Sequence, residues 1–576
     1  MPSRSAVTHE FINDLPVLMY LMHESLQYDE ALDQERARHG NWQGLSLGQV
    51  MVTWLVHILS EHNHFMSHVQ EWAEKVPRTL EALWGQSVRP TDLTDDRLAE
   101  VVRVLSLNEV WQPLESRVNH QMIRVYALPV KQVRLDTTTA SVYGGNEVSV
   151  LFQRGHSKDH RPDLRQFKAM LAALDPLGVL VGVDVVAGNQ ADDGLYVPML
   201  ARLRTTLPPQ GLLYIGDCKM GALATRAYVQ STRNYYLMPL AQVGSVPEDL
   251  AAWVDAAIKG KVDLMPIWGV EGRKRLGEAY ELKRRLTAET ETETPTLHWV
   301  ERVLIVRSQS YAQAAVRGLH QRLAHAESDL QALTPPRGRG RRQFTEEAPL
   351  REAVQALLQR YEVEGLLKVQ LKREVQRQTV RAYGSSPARV VEHTRYRVTV
   401  QKNQARIRTH EQLLGWRVYV TNAPVSRLSL AQALQAYRDE WLIERDCARL
   451  KGRPLSLRPM WVSREDHAVG LTRLLTLAAR VLALAEYQVR RKLADERRTL
   501  DHLYAGQPTR RTDVPTTERL LKAFNHIVLT IAQKDHQISY HLTPLSDLQR
   551  TILRDLECPR KLYQQWIPKS WKPLKI

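Results

Sequence analysis

Helical apolar spacing dominates the first part of the chain and gives way to strand-like alternation near residue 128. "LSLGQVMVTWLVHILSEHNHFMSHVQEWAEKV" places apolar residues at helical intervals after Ser46, a residue type that caps helix N-termini. This pattern predicts one helix that continues into the seventies. "PTDLTDDRLAEVVRVL" predicts another helix, which begins after Thr94 with two aspartates in its first turn. Residues 1–125 are therefore predicted to form a helical N-terminal domain that serves either DNA binding or packing and dimerisation.

Residues 126–240 alternate in a way that predicts a mixed set of strands and helices. "LPVKQVRLDTTT" predicts a strand that ends at Asp136, and residues 163–189 predict two strands about a turn at residues 175–178. A helix is predicted from Asp192. A short strand follows, ending at Asp217 in "GLLYIGDCKMG", and then a helix and a last strand in "NYYLMPL". Two predicted strands thus end in a carboxylate, at the sheet edge where α/β proteins gather catalytic groups.

The pattern breaks over residues 241–412, which we interpret as an inserted α+β domain. This region holds a long polar helix, "YAQAAVRGLHQRLAHAESDLQAL", the basic linker "RGRGRR" from Arg337, and a basic strand, "RVVEHTRYRVTVQKNQARIR". "GWRVYVTNAP" resumes a core strand, and residues 413–490 are predicted to complete the catalytic core. Residues 491–576 are predicted to form a C-terminal helical region for DNA contact or dimerisation.

The composition narrows the class of partner. Lys and Arg exceed Asp and Glu by 16, and the pI is near 9.6, a balance that suits a polyanion such as nucleic acid. The three cysteines form no C-x-x-C pair, which argues against a thiolate zinc site and fits a reducing cytosol.

The N-terminus lacks the apolar core of a signal peptide. The apolar stretch from Gly470 contains Arg473, Arg480 and Glu486, so it predicts a buried helix and a soluble, cytoplasmic protein without membrane contact.

Asp136 and Asp217 are candidate metal ligands, because a carboxylate that ends an apolar strand is costly without a partner. The alternative is that each aspartate merely caps a turn. "YRDEWLIERDCARLKGRPLSLRP" adds carboxylates at Glu440 and Glu444 on one predicted helix face. Two aspartates and a glutamate are hard oxygen ligands that suit two Mg²⁺ ions about 3.5–4 Å apart, with Mn²⁺ as a substitute.

The segments "RLDTTT", "GHSKDHRPDLRQ", "LYIGDCKMG", "VYVTNAP" and "YRDEWLIERDCARLKGRPLSLRP" occur in an order that resembles bacterial insertion-sequence DDE transposases. The most similar branch has a ribonuclease-H-like catalytic domain interrupted by an insertion domain. The resemblance extends from the N-terminal helical region to about residue 490. It implies an α/β fold with a ribonuclease-H-like core and a mixed sheet, and a catalytic triad of Asp136, Asp217 and Glu444.

The resemblance also assigns the residues around Glu444. The family signature is Tyr, two residues, Arg, three residues, Glu, six residues, Lys, and it matches here at Tyr437, Glu444 and Lys451. Glu440 stands where the relatives have arginine, which makes it a rival carboxylate. The candidate DNA contacts are Tyr437, Lys451, Lys158, Arg161 and Arg445, and Arg438 and Arg449 are further candidates to replace the missing arginine.

The implied activity is binding of terminal inverted repeats, metal-dependent DNA cleavage and strand transfer by a homodimer on double-stranded DNA. One alternative is a ribonuclease-H-like nuclease without strand transfer, and another is a DNA-binding derivative without activity.

Two histidine-containing groups are further candidate metal sites. We interpret His156, Asp159 and His160 as a polar turn beside the active site, and His62, His64 and His68 as solvated or packed helical residues.

Overall fold

The computed structural model describes residues 5–36, 42–144, 148–241, 243–244, 246–269, 274–289, 296–336, 344–380, 384, 389–534 and 537–564. The chain divides into two compact units. Unit 1 comprises Met1–Met238, Thr287–Trp299 and Ala436–Ile576, and unit 2 comprises Pro239–Leu286 and Val300–Gln435. The basic linker at 337–342 and the last twelve residues, 565–576, lie outside the described residues.

The strands are β1 (Ser5–Phe11), β2 (Gln132–Val142), β3 (Arg165–Asp175), β4 (Val179–Ala187), β5 (Leu213–Ile215), β6 (Tyr235–Pro239), β7 (Met265–Trp268), β8 (Arg275–Glu289), β9 (Thr296–Ser308), β10 (Leu367–Val380), β11 (Arg389–Lys402), β12 (Trp416–Thr421), β13 (Val528–Lys534) and β14 (Gln537–Leu542).

The α-helices are α1 (Leu15–Met19), α2 (Tyr28–Glu35), α3 (Leu47–Glu61), α4 (Val69–Ala73), α5 (Pro77–Trp84), α6 (Asp95–Ser106), α7 (Asn108–Tyr126), α8 (Tyr196–Leu203), α9 (Leu223–Ser231), α10 (Val246–Ile258), α11 (Gln309–Ala332), α12 (Glu347–Arg360), α13 (Gln404–Leu413), α14 (Leu430–Arg438), α15 (Trp441–Lys451), α16 (Glu465–Asp495), α17 (Thr517–Lys522) and α18 (Asp547–Asp555).

The sheet of unit 1 has the strand order β4-β3-β2-β5-β6. β2, β3 and β4 form an antiparallel meander, and β5 and β6 run parallel to β2. The predicted strand pair about residues 175–178 is confirmed. The predicted end of the first strand at Asp136 is wrong, because β2 continues to Val142. It continues because β3 pairs with its whole length, from Gln132 opposite Asp175 to Val142 opposite Arg165.

Helix α16 is the centre of the helical packing in unit 1. Its apolar stretch is long enough to cross a membrane, but 94% of that stretch is buried, which confirms the predicted buried helix. Gly470 allows α6 to approach closely, because a Cβ there would lie 1.8 Å from the carbonyl oxygen of Val102. Arg480 is fully buried and is neutralised by Glu115 of α7, with 2.5 Å between the guanidinium nitrogen and the carboxylate oxygen. A buried charge needs such a partner.

The predicted helical terminal regions contain helices and, in addition, three strands that were not predicted from the sequence. β1 pairs antiparallel with β13, and β13 pairs with β14, in a three-stranded sheet.

The N-terminal helix that was predicted to continue into the seventies is shorter than predicted. α3 begins after Ser46 with a capping box, as predicted, but ends at Glu61, and His62 adopts a left-handed conformation with φ 55°.

Unit 2 contains the strands β12-β9-β8-β7 in this order and a separate two-stranded ribbon of β10 and β11. The long polar helix predicted from the sequence is confirmed as α11. The predicted basic strand is confirmed as β11 up to Lys402, whereas its last predicted residues belong to α13. Apolar residues of α11 and α12, including Leu323, Leu330 and Leu350, form a core with the base of the ribbon.

Candidate active site

Asp136 and Asp217 occupy matching positions at two adjacent parallel strands, Asp136 within β2 and Asp217 two residues after the end of β5. The pairing of β2 with β5 ends at Arg134 opposite Ile215, and each aspartate follows this last pair by two residues. Parallel strands lie about 4.8 Å apart, which brings the two half-buried carboxylates to the same sheet edge. In the sequence, each aspartate was marked by an apolar run followed by an acidic residue. In the structure, each aspartate lies just beyond the point where the parallel pairing of β2 with β5 ends.

One oxygen of the Asp136 carboxylate is fixed by hydrogen bonds from nearby residues. Oδ1 accepts hydrogen bonds from the backbone N–H of Thr137 at 2.7 Å and from Lys158 Nζ at 3.3 Å. Burial raises the pKa of Asp136, the Lys158 ammonium opposes the rise, and the negative charge of Asp217 adds to it. A nearby cation would stabilise the ionised form of a carboxylate whose pKa is raised by burial and by a second negative charge, as that of Asp136 is.

Asp217 is fixed through one oxygen as well. It is the N-cap of a 3₁₀ turn, Cys218–Gly221, and its Oδ1 accepts the backbone N–H of Lys219 at 2.9 Å. The buried hydroxyl of Tyr196 donates to the same oxygen at 2.6 Å. Burial, and then the charge of Asp217, hold the pKa of Tyr196 well above its usual value, so the hydroxyl stays a donor. Among the described residues, Oδ2 of Asp136 and Oδ2 of Asp217 receive no hydrogen bond.

Tyr196 was not found from the sequence, because it belongs to no motif and lies between the two aspartate segments. If the aspartate pair binds a divalent cation, we expect Tyr196→Phe to leave the fold intact and to weaken that binding about 10–100-fold, the loss seen when a group that orients a metal ligand is removed. The measurement is a titration of the chain with Mn²⁺. Tyr214→Phe is the matched control, because the buried Tyr214 hydroxyl has no hydrogen-bond partner among the described residues. Equal Mn²⁺ affinity in both variants would contradict this role.

The segment that carries the two glutamates is a broken helix. α14 ends at Arg438, α15 begins at Trp441, and Glu440 is the N-cap of α15. The seven-residue recurrence from Tyr437 therefore crosses a helix junction. Within α15, Glu444 and Lys451 lie on one face with Glu440, at intervals of four and seven residues.

The two glutamates differ in their surroundings. Glu440 is half-buried, and burial and the negative charge of Glu444 raise its pKa. Arg134 opposes this rise and Asp136 adds to it, which places Glu440 within electrostatic reach of Asp136. Tyr437 donates a hydrogen bond to Glu440.

Glu444, by contrast, is exposed, and its carboxylate forms no hydrogen bond or ion pair with any described residue. Asp136 thus interacts electrostatically with both Asp217 and Glu440, and Glu444 is an exposed carboxylate one helical turn after Glu440.

The predicted basic contacts fall into two groups. Near the aspartates, Lys158 Nζ also bonds Thr137 Oγ1 at 2.8 Å, and Lys451 pairs with Asp159 at 2.7 Å. Arg458 Nη1 lies 2.8 Å from the same carboxylate oxygen of Asp159, whose side chain is 2% exposed. The acid therefore ties the turn that carries Lys158 to the end of α15.

The two arginines among the predicted DNA contacts lie in different surroundings. Arg161 is exposed and pairs with Asp163 at 2.7 Å. Arg445 is largely buried against Trp441 and pairs with Glu486 at 2.6 Å, a packing role that sequence spacing did not reveal.

Within the described ranges, no group of three or more His, Cys, Asp or Glu side chains is arranged to hold a metal ion. This includes both histidine-containing groups. Asp159 is engaged with Lys451 and Arg458, and His64 Nδ1 lies 3.1 Å from the carbonyl oxygen of Leu455.

Comparison with known proteins yields only distant structural likeness. No protein-family model matches the chain, and no curated protein does. A cryo-EM structure of a piggyBac transposase synaptic complex with hairpin DNA superposes with a TM-score of 0.37 and 8% identity, over 97% of this chain and 87% of that one. A likeness of this size assigns no family to the chain.

Proposed function

We propose that the chain is a DDE transposase of an insertion sequence that binds inverted-repeat DNA ends, cleaves DNA and transfers the cut strand. The observation that carries the proposal is the pair of Asp136 and Asp217, at matching positions of adjacent parallel strands. Each has one oxygen fixed by the protein and the other without a described partner. The sequence resemblance and the basic charge of the chain support the same assignment.

The topology of unit 1 supports a ribonuclease-H-like core for this activity. An antiparallel meander of three strands followed by two strands parallel to the first, in the order β4-β3-β2-β5-β6, is the arrangement that such a core has. Asp136 then lies on the first strand of that core, and Asp217 lies just after the fourth strand.

Two oxygen atoms of the aspartate pair suit a hard divalent cation. The uncommitted Oδ2 atoms of Asp136 and Asp217 are oxygen ligands of the kind Mg²⁺ takes, and we propose Glu444 as the third ligand. Bound Mg²⁺ or Mn²⁺, two ions in our proposal, supplies activation of the attacking oxygen and stabilisation of the leaving oxygen in phosphodiester chemistry.

The remaining residues have supporting roles in this proposal. Tyr196 and the backbone N–H of Lys219 orient Asp217, so that the same oxygen always faces the site. Lys158 neutralises part of the charge on Asp136 in the free protein and, together with Lys451, becomes a phosphate contact when DNA is bound. Arg161 is an exposed candidate for the flanking DNA backbone.

The test is an assay with labelled duplexes that carry the ends of the element, a plasmid target and Mg²⁺. A transposase releases the ends and joins their 3′-hydroxyls to the plasmid, most simply as a homodimer that holds two ends. Cut ends without joined product would point to the nuclease alternative, and absence of any metal-dependent product would overturn the proposal. The cellular site we propose, the bacterial cytoplasm, is tested separately by fractionation.

A further inference from the structure

The β10–β11 ribbon of unit 2 is anchored at one end. The two strands pair antiparallel over 14 residue pairs, from Leu367 opposite Lys402 to Val380 opposite Arg389. At the base, Leu367, Tyr396 and Val398 are buried in the core formed with α11 and α12. This packing stabilises a ribbon that would be marginal as an isolated hairpin.

In the distal half of the ribbon, residues 374–379 and 389–395 are exposed or partly exposed on both faces, and none of them is buried. Val375 and Val390 point to the face that is buried at the base, yet they are 44% and 60% exposed. Seven residue pairs make this projecting part about 23 Å long. A surface of that shape has room for a partner on either face.

The ribbon is strongly basic, and most of its positive charge is not neutralised by ion pairs with the described residues. It contains eight Lys or Arg residues and two Glu residues. Two of the cations are paired, Lys402 with Glu327 and Arg377 with Glu392. The others form no ion pair with any described residue, and they are Lys368, Lys372, Arg373, Arg389, Arg395 and Arg397.

The placement of these charges costs stability in the free protein. Lys372 and Arg397 lie directly opposite each other on the outward face of the ribbon. Like charges in such a cross-strand pair are destabilising. Charged edges also protect strands from aggregation, but that role does not require two cations to face each other. A polyanion bound between them would remove the repulsion.

We infer that the β10–β11 ribbon is an arm that binds duplex DNA in the major groove. The major groove of B-DNA is about 12 Å wide and admits a two-stranded ribbon, with basic side chains facing the phosphates on both sides. The deep, narrow major groove of an RNA duplex does not admit one. The choice of DNA as the polyanion rests on the proposed function, but the arm acts in binding and takes no part in the chemistry of the aspartate site.

The test compares two triple variants of the full chain. Lys372→Gln, Arg389→Gln and Arg397→Gln remove three cations from the ribbon. Arg317→Gln, Arg360→Gln and Arg408→Gln remove three exposed cations from α11, α12 and α13 of the same unit. Fluorescence anisotropy with a labelled 30-base-pair duplex is measured in EDTA from 50 to 200 mM salt, and circular dichroism verifies that both variants are folded.

We expect the ribbon variant to bind DNA at least about tenfold more weakly and to reduce the slope of log affinity against log salt by about 2–3, as for three lost phosphate contacts. The control variant should change affinity less than about threefold, in line with loss of net charge alone. Equal losses in both variants, no loss in the ribbon variant, or the same loss on an RNA duplex would each overturn the proposal.

The outcome is separable from the proposed function. If the ribbon variant binds DNA like the wild type while cleavage still depends on Asp136, the arm is refuted and the transposase proposal stands. If the ribbon variant loses affinity but the wild type never cleaves DNA with Mg²⁺ or Mn²⁺, the arm stands and the catalytic proposal fails.

Discussion

Asp136→Asn or Asp217→Asn is expected to reduce metal-dependent DNA cleavage about 10³-fold or more. A metal ion contributes several kcal/mol to the stabilisation of charge at the reacting phosphate, and about 4 kcal/mol corresponds to this factor. Asparagine keeps the shape of each side chain and its acceptor oxygen, so the hydrogen bonds from Thr137 and Tyr196 can persist. The measurement is the single-turnover rate on a labelled DNA end.

Folding gives an independent check on this prediction. Because burial raises the pKa of Asp136, its ionised form is disfavoured in the folded state relative to the unfolded state. A neutral asparagine should therefore leave the melting temperature unchanged or raise it, whereas a variant inactive through misfolding would melt lower. Asp193→Asn is the matched control, since Asp193 is an exposed acid in the 3₁₀ turn that precedes α8. It should cleave at the wild-type rate.

The second large effect distinguishes the two glutamates of the α14–α15 segment. Glu444→Gln is expected to abolish cleavage to a degree similar to the aspartate variants, because a metal ligand needs an uncommitted carboxylate and Glu444 has no described partner. Glu440→Gln should retain activity within about tenfold. Glu440 accepts a hydrogen bond from Tyr437 and interacts with Arg134, so we expect it to help orient the metal ligands and not to bind the metal itself.

The two substitutions are matched, since each replaces a carboxylate with an amide one helical turn from the other. DNA affinity in EDTA should be the same for both variants, so that any difference in rate reflects the chemical step. The reverse result, with an inactive Glu440→Gln and an active Glu444→Gln, would assign the third ligand to Glu440 and shift the register of the family signature by one turn.

The local pattern of the sequence was sufficient to predict the strands that carry the site. Asp217 follows a short apolar strand, and the apolar alternation before Asp136 predicts β2 correctly up to that residue. The continuation of β2 to Val142 depends on its pairing with β3, which the alternation of β2 alone does not contain. The same reason explains the missed terminal sheet, since Ser5 of β1 pairs with Lys534 of β13.

Side-chain contacts between residues far apart in the sequence could not be predicted either. Nothing in the spacing of residues indicates that Tyr196 donates to Asp217, or that Asp159 binds Lys451 across nearly 300 residues. The exchange of arginine for Glu440 was visible as a departure from the family signature. Its neighbours Tyr437 and Arg134 became known only from the fold.

The most direct test of the aspartate site is divalent metal binding itself. Free Mn²⁺ is titrated by electron paramagnetic resonance in the presence of the full chain and a short DNA end, for the wild type, the double variant Asp136→Asn with Asp217→Asn, and Asp193→Asn. A site shared by the two aspartates predicts saturable Mn²⁺ binding by the wild type and the Asp193 variant, and its loss in the double variant. Mn²⁺ binding by the double variant with wild-type affinity and stoichiometry would contradict a metal site at these two residues.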